Sequence, residues 1–338
     1  MFLSKVLQFA ATALAVAGID AHLDLSAEEM AHHNRHVARG TEALHQCLES
    51  PELKDLHKRM AARRTEELHR IRKTRALEAR AYKENKPARA KWNAVSHEQN
   101  KHTTDPQELF GFRWTDQPSA RPAVCITTPE NIYGPFWHEG QRKLQDIRDG
   151  QEGIYLRLAL QIIDVSTCKP LKNARVDVWQ ANALGEYSAT ITSWLRGWQP
   201  SSDWGTVDFD TIFPGHYSGR NIHIHVAVRE PGNKRVVHSG QIFFDEWPHH
   251  WASQTYPYTE NKNQYVKNLE DGFISYSASD KYDPFVRWSW LGDNYPDDGM
   301  VSWITLGVDL SDKTIEQPPN KKRSFRFVDD HLQHKRPI

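Results

Sequence analysis

Ile154-Tyr155-Leu156-Arg157-Leu158-Ala159-Leu160-Gln161-Ile162-Ile163-Asp164 is the stretch on which the fold turns. Apolar side chains recur at every second position from Leu156 to Ile162, the spacing of a strand with one face on a core. Further strands are predicted at residues 174–179, 206–209, 222–228, 236–244 and 302–310, separated by turns of Gly, Pro, Asn and Asp. No helical periodicity alternates with them. A mainly β domain, a two-sheet β-sandwich over residues 123–338 with a Trp-rich C-terminal extension, is therefore expected in place of an α/β fold.

Toward the N-terminus the pattern changes. Residues 26–95 are dense in Ala, Leu, Glu, Lys, Arg and His, with no glycine after Gly40, which predicts helices. Leu53, Leu56 and Met60, then Leu68 and Ile71, recur at helical spacing and form a narrow apolar stripe of the kind that pairs helices. Pro87 should end or bend the last helix. Residues 101–122, with Pro106, Pro118 and Pro122, read as a linker between a helical region at 22–100 and the sandwich.

Residues 1–21 read as an export signal. Lys5 supplies a basic start, an apolar run at 6–19 is too short to span a bilayer, and Ala15-Val16-Ala17 fits a small-x-small cleavage pattern. The mature protein is thus expected to be secreted, extracellular and without a membrane segment. Cys125 and Cys168 flank the opening of the β region and are the expected disulfide pair, with Cys47 left as a buried thiol or an intermolecular bridge. Lys plus Arg and Asp plus Glu both number 43, and this balance argues against a nucleic-acid partner.

The chemistry-bearing residues cluster near the run Asn221-Ile222-His223-Ile224-His225-Val226. Alternation puts His223 and His225 on one face of a strand, where both can hold one ion. Tyr217 follows Pro214-Gly215, and Tyr187 follows a turn containing Gly185. A phenol with a pKa near ~10 is a poor ligand until a trivalent metal stabilises its phenolate. Two hard anionic oxygens with two imidazoles favour Fe(III) over zinc or magnesium. Each piece alone has a plainer reading: an H-x-H strand is more often core, surface or a zinc or copper site, and a lone tyrosine is usually packing. His216 should face away from Tyr217 and is left out of the set.

The ordered series that follows is dense. It includes Thr128-Pro129-Glu130, Gly134-Pro135, Val176-Asp177-Val178-Trp179-Gln180-Ala181-Asn182, Gly185-Glu186-Tyr187 and Leu195-Arg196-Gly197. It continues through Asp203-Trp204-Gly205, Phe209-Asp210-Thr211-Ile212-Phe213-Pro214-Gly215-His216-Tyr217, Gly219-Arg220-Asn221-Ile222-His223-Ile224-His225 and Gly240-Gln241-Ile242-Phe243-Phe244. In these motifs the chain resembles the intradiol ring-cleavage dioxygenases, and more closely their secreted fungal branch.

The resemblance implies a non-haem Fe(III) held by Tyr187, Tyr217, His223 and His225, with Tyr217 and His225 axial. It implies a catechol or hydroxyquinol as substrate with O2, cleaved between the hydroxyl-bearing carbons to a cis,cis-muconate-type product. Tyr217 would accept a substrate proton, Arg220 would set a guanidinium against the activated ring, and Gln241 would stand behind it. The family also implies a homodimer through the N-terminal helices. Bulky residues at Tyr133, Phe136 and Trp137 depart from the usual run after Gly-Pro and either reshape the substrate pocket or pack. A copper or zinc β-sandwich enzyme with bystander tyrosines, and a non-catalytic module binding phenolics or polysaccharide, are the alternatives.

Overall fold

The computed structural model describes residues 40, 42–44, 46–47, 50–74, 96–98, 124–125, 136–188, 194–232, 235–271, 273–274 and 284–311. The expected signal at 1–21, the linker at 101–122 and Tyr133 lie outside the described residues.

Ten strands among the described residues make two sheets. In the first, β2 (Tyr155–Asp164) and β10 (Met300–Val308) run parallel along their whole length. β6 (Thr206–Ile212) and β3 (Lys169–Pro170) pair antiparallel with the free side of β2. β9 (Arg287–Trp290) and β1 (Val124–Cys125) pair with the far side of β10. The second sheet is antiparallel throughout, in the order β5 (Arg196–Pro200), β4 (Arg175–Trp179), β7 (His223–Arg229), β8 (Val236–Phe243).

The alternation visible in the sequence explains how the sheets stack. Leu156, Leu158, Leu160 and Ile162 of β2 and Ile304 and Leu306 of β10 meet Val176, Val178, Ile224, Val226 and Val228 of the second sheet in one core. Each such side chain contributes roughly 1.5–3 kcal/mol on burial. Residues 141–147 close one open side of the sandwich: Leu144 N donates to Trp198 O at 3.2 Å, and Ile147 N donates to Asp210 O at 2.9 Å. On the opposite side Val286 N donates to Phe243 O at 2.9 Å, tying β8 to the segment leading into β9. Trp288 and Trp290 lie in the core, so this part of the Trp-rich extension is integral to the sandwich.

Outward-facing residues of the first sheet are covered by the helix α1 (Pro51–Thr74). Its predicted stripe is buried: Leu53, Leu56 and Met60 pack on Ile163 and Val165, while Leu68 and Ile71 pack on Ala159, Val301 and Trp303. Arg157 of β2 donates to both carboxylate oxygens of Asp210 at 2.9 Å and pairs with Glu67 of α1. The apolar stripe of α1 is therefore used within the chain.

The disulfide expectation is corrected. Cys47, not Cys125, bonds Cys168, with Cα atoms 4.9 Å apart. Cys47 packs against Ile163 and Val165 beside the turn that carries Cys168. Cys125 lies on β1, three strand spacings from β3 in the order β1-β10-β2-β3. That separation, about 14 Å, exceeds the reach of a disulfide, whose Cα atoms rarely stand more than ~7 Å apart.

Candidate metal centre

With one face of β7 committed to the core through Ile224, Val226 and Val228, His223 and His225 stand on the outer face of the second sheet. Both are almost wholly buried. Register sets their neighbours: His225 is paired with Trp179 of β4 on one side and Gln241 of β8 on the other, and His223 with Phe243. Directly opposed residues share a face, so Gln241 stands beside the imidazoles. Trp179 stacks on the His225 ring at 4.8 Å between centroids and 8° between planes, which holds that ring at a fixed tilt.

The two tyrosines arrive on loops pressed together backbone to backbone. Gly185 has φ +81°, and a Cβ there would lie 2.1 Å from His216 O. At Gly215 a Cβ would lie 2.3 Å from Ala183 O. Only glycine permits both approaches. Gly215 N donates to Asn182 O at 3.0 Å, and Asn261 Nδ2 donates to Ala183 O at 3.2 Å and His216 O at 2.9 Å. This stitching fixes Tyr187, two residues beyond Gly185, relative to Tyr217, two residues beyond Gly215.

The outcome is a closed circuit of four rings. Centroid separations are 5.7 Å from Tyr187 to Tyr217, 5.5 Å from Tyr217 to His223, 4.8 Å from His223 to His225, and 6.1 Å from His225 back to Tyr187. His223 Nδ1 lies 2.6 Å from Asn221 O. A carbonyl only accepts, so Nδ1 carries the proton and Nε2 keeps its lone pair, the tautomer a metal requires. That Nε2 is 3.3 Å from Tyr217 Oη. Two phenols and two imidazoles gathered in one circuit of rings are side chains whose donor chemistry fits ferric iron. Among the described residues no group of three or more His, Cys, Asp and Glu side chains gathers to hold a metal, and the oxygen donors beside His223 and His225 are phenols.

Phe136 and Trp137 differ in their placement. Phe136 stacks on Tyr187 at 4.1 Å and 3° and meets the edge of Tyr217 at 6.2 Å, so it borders the centre. Trp137 is buried edge-on against Trp179 at 4.8 Å and serves as packing behind His225. Arg196 is 1% exposed and ties these parts together, donating to Ser188 Oγ at 2.6 Å, Ser188 O at 3.1 Å and Phe136 O at 3.0 Å. Burial pulls its guanidinium down to about 10, and the nearby Tyr187 acts the other way.

Arg220 is buried, with its guanidinium bonded to Gln241 Oε1 and its Nε 3.0 Å from Asp271 Oδ2. The structure thus brings Arg220 and Gln241 together beside His225. Asp271 and Trp179 were not singled out by sequence. Asp271 had no signal, being 51 residues from Arg220 within the Trp-rich C-terminal extension. Trp179 could have been found as the outward-facing residue at the end of the predicted strand 174–179, opposite the strand that carries the two histidines. His216 turns to Asn263 O at 3.0 Å and to the rings of His249 and Tyr265, away from the four donors. Burial lowers its pKa and draws that of His249 down to about 4.

No protein-family model matches the sequence. Catechol 1,2-dioxygenase 2 of Acinetobacter lwoffii is 29% identical over 164 residues, which are 40% of this chain and 58% of that protein. The chain thus spans less than two thirds of that relative. An intradiol ring-cleavage dioxygenase from Tetranychus urticae is 28% identical, with 59% of this chain and 97% of that one aligned at a TM-score of 0.49. Another dioxygenase crystal structure is 29% identical over 58% of this chain and 98% of its own, at a TM-score of 0.50. Over its two-sheet β-sandwich the chain is thus similar to a catechol 1,2-dioxygenase in sequence and to a solved dioxygenase in sequence and fold.

Proposed function

We propose that the protein is a secreted, non-haem Fe(III) intradiol dioxygenase that cleaves catechols or hydroxyquinols with O2 between the hydroxyl-bearing carbons, giving cis,cis-muconate-type products. The observation that carries this reading is the closed circuit of Tyr187, Tyr217, His223 and His225. A ferric ion bound by these four groups would ligate the catechol and draw electron density from its ring.

The chain's own residues supply the rest. As the phenolate that metal binding would stabilise, Tyr217 Oη, beside His223 Nε2, would take a proton from an incoming catechol hydroxyl and become a neutral phenol. Phe136 lies flat on Tyr187 and edge-on to Tyr217, which limits water at that side and makes an apolar wall for an aromatic ring. Arg220, oriented through Gln241, sets a buried cation on the same sheet face as the imidazoles, where it stabilises negative charge developing on the substrate. The name of the Acinetobacter relative, a catechol 1,2-dioxygenase, agrees with this substrate class.

Secretion rests on the signal-like residues 1–21 and on the Cys47–Cys168 disulfide, a bond that persists in oxidising compartments. N-terminal sequencing of protein recovered from the culture medium tests it. A homodimer through the N-terminal helices would use surfaces other than the apolar face of α1, which lies on the first sheet, and the mass of the protein in solution tests it.

The decisive experiment is a visible spectrum of the iron-loaded protein without O2, with and without catechol, followed by product analysis once O2 is admitted. A tyrosinate-to-iron band that shifts with catechol, then a ring-opened diacid, is expected. Tyr187→Phe and Tyr217→Phe should each weaken the band and the retention of iron. Full colour and full metal in both variants would overturn the assignment.

A further inference from the structure

Asp271 belongs to the segment that follows the motif series, and its side chain is fully shielded from solvent. Its carboxylate accepts three hydrogen bonds. Oδ2 takes Arg220 Nε at 3.0 Å and Asn221 N at 2.8 Å, and Oδ1 takes Phe273 N at 2.9 Å. Two of these reach the candidate centre. The guanidinium fixed by the first is bonded onward to Gln241, which stands opposite His225. The backbone fixed by the second carries Asn221 O, the acceptor of the His223 Nδ1 proton.

The surrounding segment is built to hold that carboxylate. Phe273 lies under the Arg220 guanidinium at 4.0 Å and packs with Phe243, the residue paired with His223. Asn268 bonds Asn221 Nδ2 through its Oδ1 and donates through Nδ2 to Phe244 O at 3.0 Å. A buried ion pair alone is weak evidence for stability and none for function. What distinguishes this one is that a single carboxylate orients both the cation assigned to substrate charge and the carbonyl that sets a donor's tautomer.

We infer that Asp271 is a positioning residue of the reaction, holding Arg220 and the Asn221 backbone so that cation and imidazole keep one geometry. The inference rests on the function proposed above. Asp271 touches neither substrate nor metal; it acts through Arg220 and Asn221.

The test compares the unaltered chain, Asp271→Asn, Arg220→Gln and the double variant, each iron-loaded and assayed by O2 uptake with catechol. Asp271→Asn is expected to lower kcat roughly tenfold or more, less than the ~10²–10³ that loss of a direct donor costs. KM for catechol should stay within about threefold, since the lost contact serves the reacting state. In the Arg220→Gln background the same substitution should lower kcat less than it does alone, because only the hydrogen bond from Asn221 N remains to be lost. An equal loss in both backgrounds, or an unchanged kcat for Asp271→Asn, overturns the inference.

Should Asp271→Asn not fold, Asp271→Glu keeps the charge and displaces it by one methylene. Lower kcat at unchanged KM is then expected, and unchanged kcat and KM overturn the idea. A second readout needs no metal. The Arg220 Nε–H resonance of the metal-free protein, identified by its loss in Arg220→Gln, should exchange slowly in the unaltered chain and rapidly in Asp271→Asn. Slow exchange in both overturns the contact. If the unaltered, iron-loaded chain takes up no O2 with any catechol, the assigned reaction fails, while the resonance still decides for or against Asp271.

Discussion

Gly185→Ala probes the device that brings the two tyrosine loops together. Three effects set its magnitude. A non-glycine residue at φ +81° is destabilised by about 1–2 kcal/mol through contact of Cβ with its own backbone. The new Cβ also lies 2.1 Å from His216 O and 2.8 Å from Asn263 Nδ2. Relieving that overlap by shifting packed backbone adds about 1–3 kcal/mol. Lower entropy of the unfolded chain offsets about 0.4–1 kcal/mol. The net loss is roughly 1–5 kcal/mol.

Gly150→Ala is the matched control, because Gly150 has φ +82° and nothing within 4 Å of an added Cβ. It shares the backbone and unfolded-state effects and lacks the overlap, so its net loss is about 1 kcal/mol or less. Denaturant unfolding of the two variants therefore isolates the contact between loops as a difference of about 1–3 kcal/mol. Tyr187 lies two residues beyond Gly185, so Gly185→Ala should also weaken iron retention and the visible band, while Gly150→Ala should leave both intact. Equal destabilisation by the two substitutions, with iron kept by both, would refute the claim that backbone contact at Gly185 sets the spacing of the phenols.

Three further outcomes are expected. His57 on α1 has its pKa drawn from 6.5 to about 3, chiefly by burial and then by Arg64. Below pH 6.5 the unfolded chain takes up a proton that the folded chain refuses, so stability should fall by up to about 1.4 kcal/mol per pH unit toward pH 3. His57→Gln should flatten that part of the slope, and urea midpoints at pH 7, 6 and 5 that fall equally in both proteins would contradict it. Replacing Cys47 and Cys168 together by serine opens a link between residues 121 apart and should cost about 2–5 kcal/mol, read from unfolding midpoints with and without reductant. Arg157→Met leaves Asp210, 19% exposed at its side chain, without its bidentate partner. Thermal unfolding should show a loss of roughly 2–3 kcal/mol, below the ~3–5 of a fully buried pair.

Much of this was legible because strand alternation carries its own evidence. The runs that became β2, β4, β6 and β7 show it, those of β8 and β10 were read from β-forming residues bounded by turns, and the stripe on α1 shows helical spacing. β5 and β9 were not foreseen: Arg196-Gly197-Trp198-Gln199-Pro200 contains both Gly and Pro, and Arg287-Trp288-Ser289-Trp290 is too short to establish a period. The four candidate donors were legible from residue type and spacing. Their supports were not, because those act through backbone atoms or distant segments: Asn221 O on His223, His216 O against Gly185, and Asp271 on Arg220. The disulfide partner was hidden for the same reason. Only the docking of the helical region on the first sheet brings Cys47 to the turn holding Cys168.

The same alternation that stabilises β7 also aims its donors, which makes the fold and the chemistry inseparable at that strand. Ile224, Val226 and Val228 enter the core between the sheets, and His223 and His225 consequently face the phenols. A shift of one residue in the pairing of β7 with β4 would exchange the two sets, driving both imidazoles into the core and the aliphatic side chains into the candidate centre. Pairing on both edges guards against this, with Trp179 and Gln241 flanking His225 in register. A slip would place an unpaired imidazole among hydrocarbon and also forfeit the stacking of Trp179 on His225. The geometry of the imidazoles is thus held by the hydrophobic pattern of the strand, before any ion contributes to it.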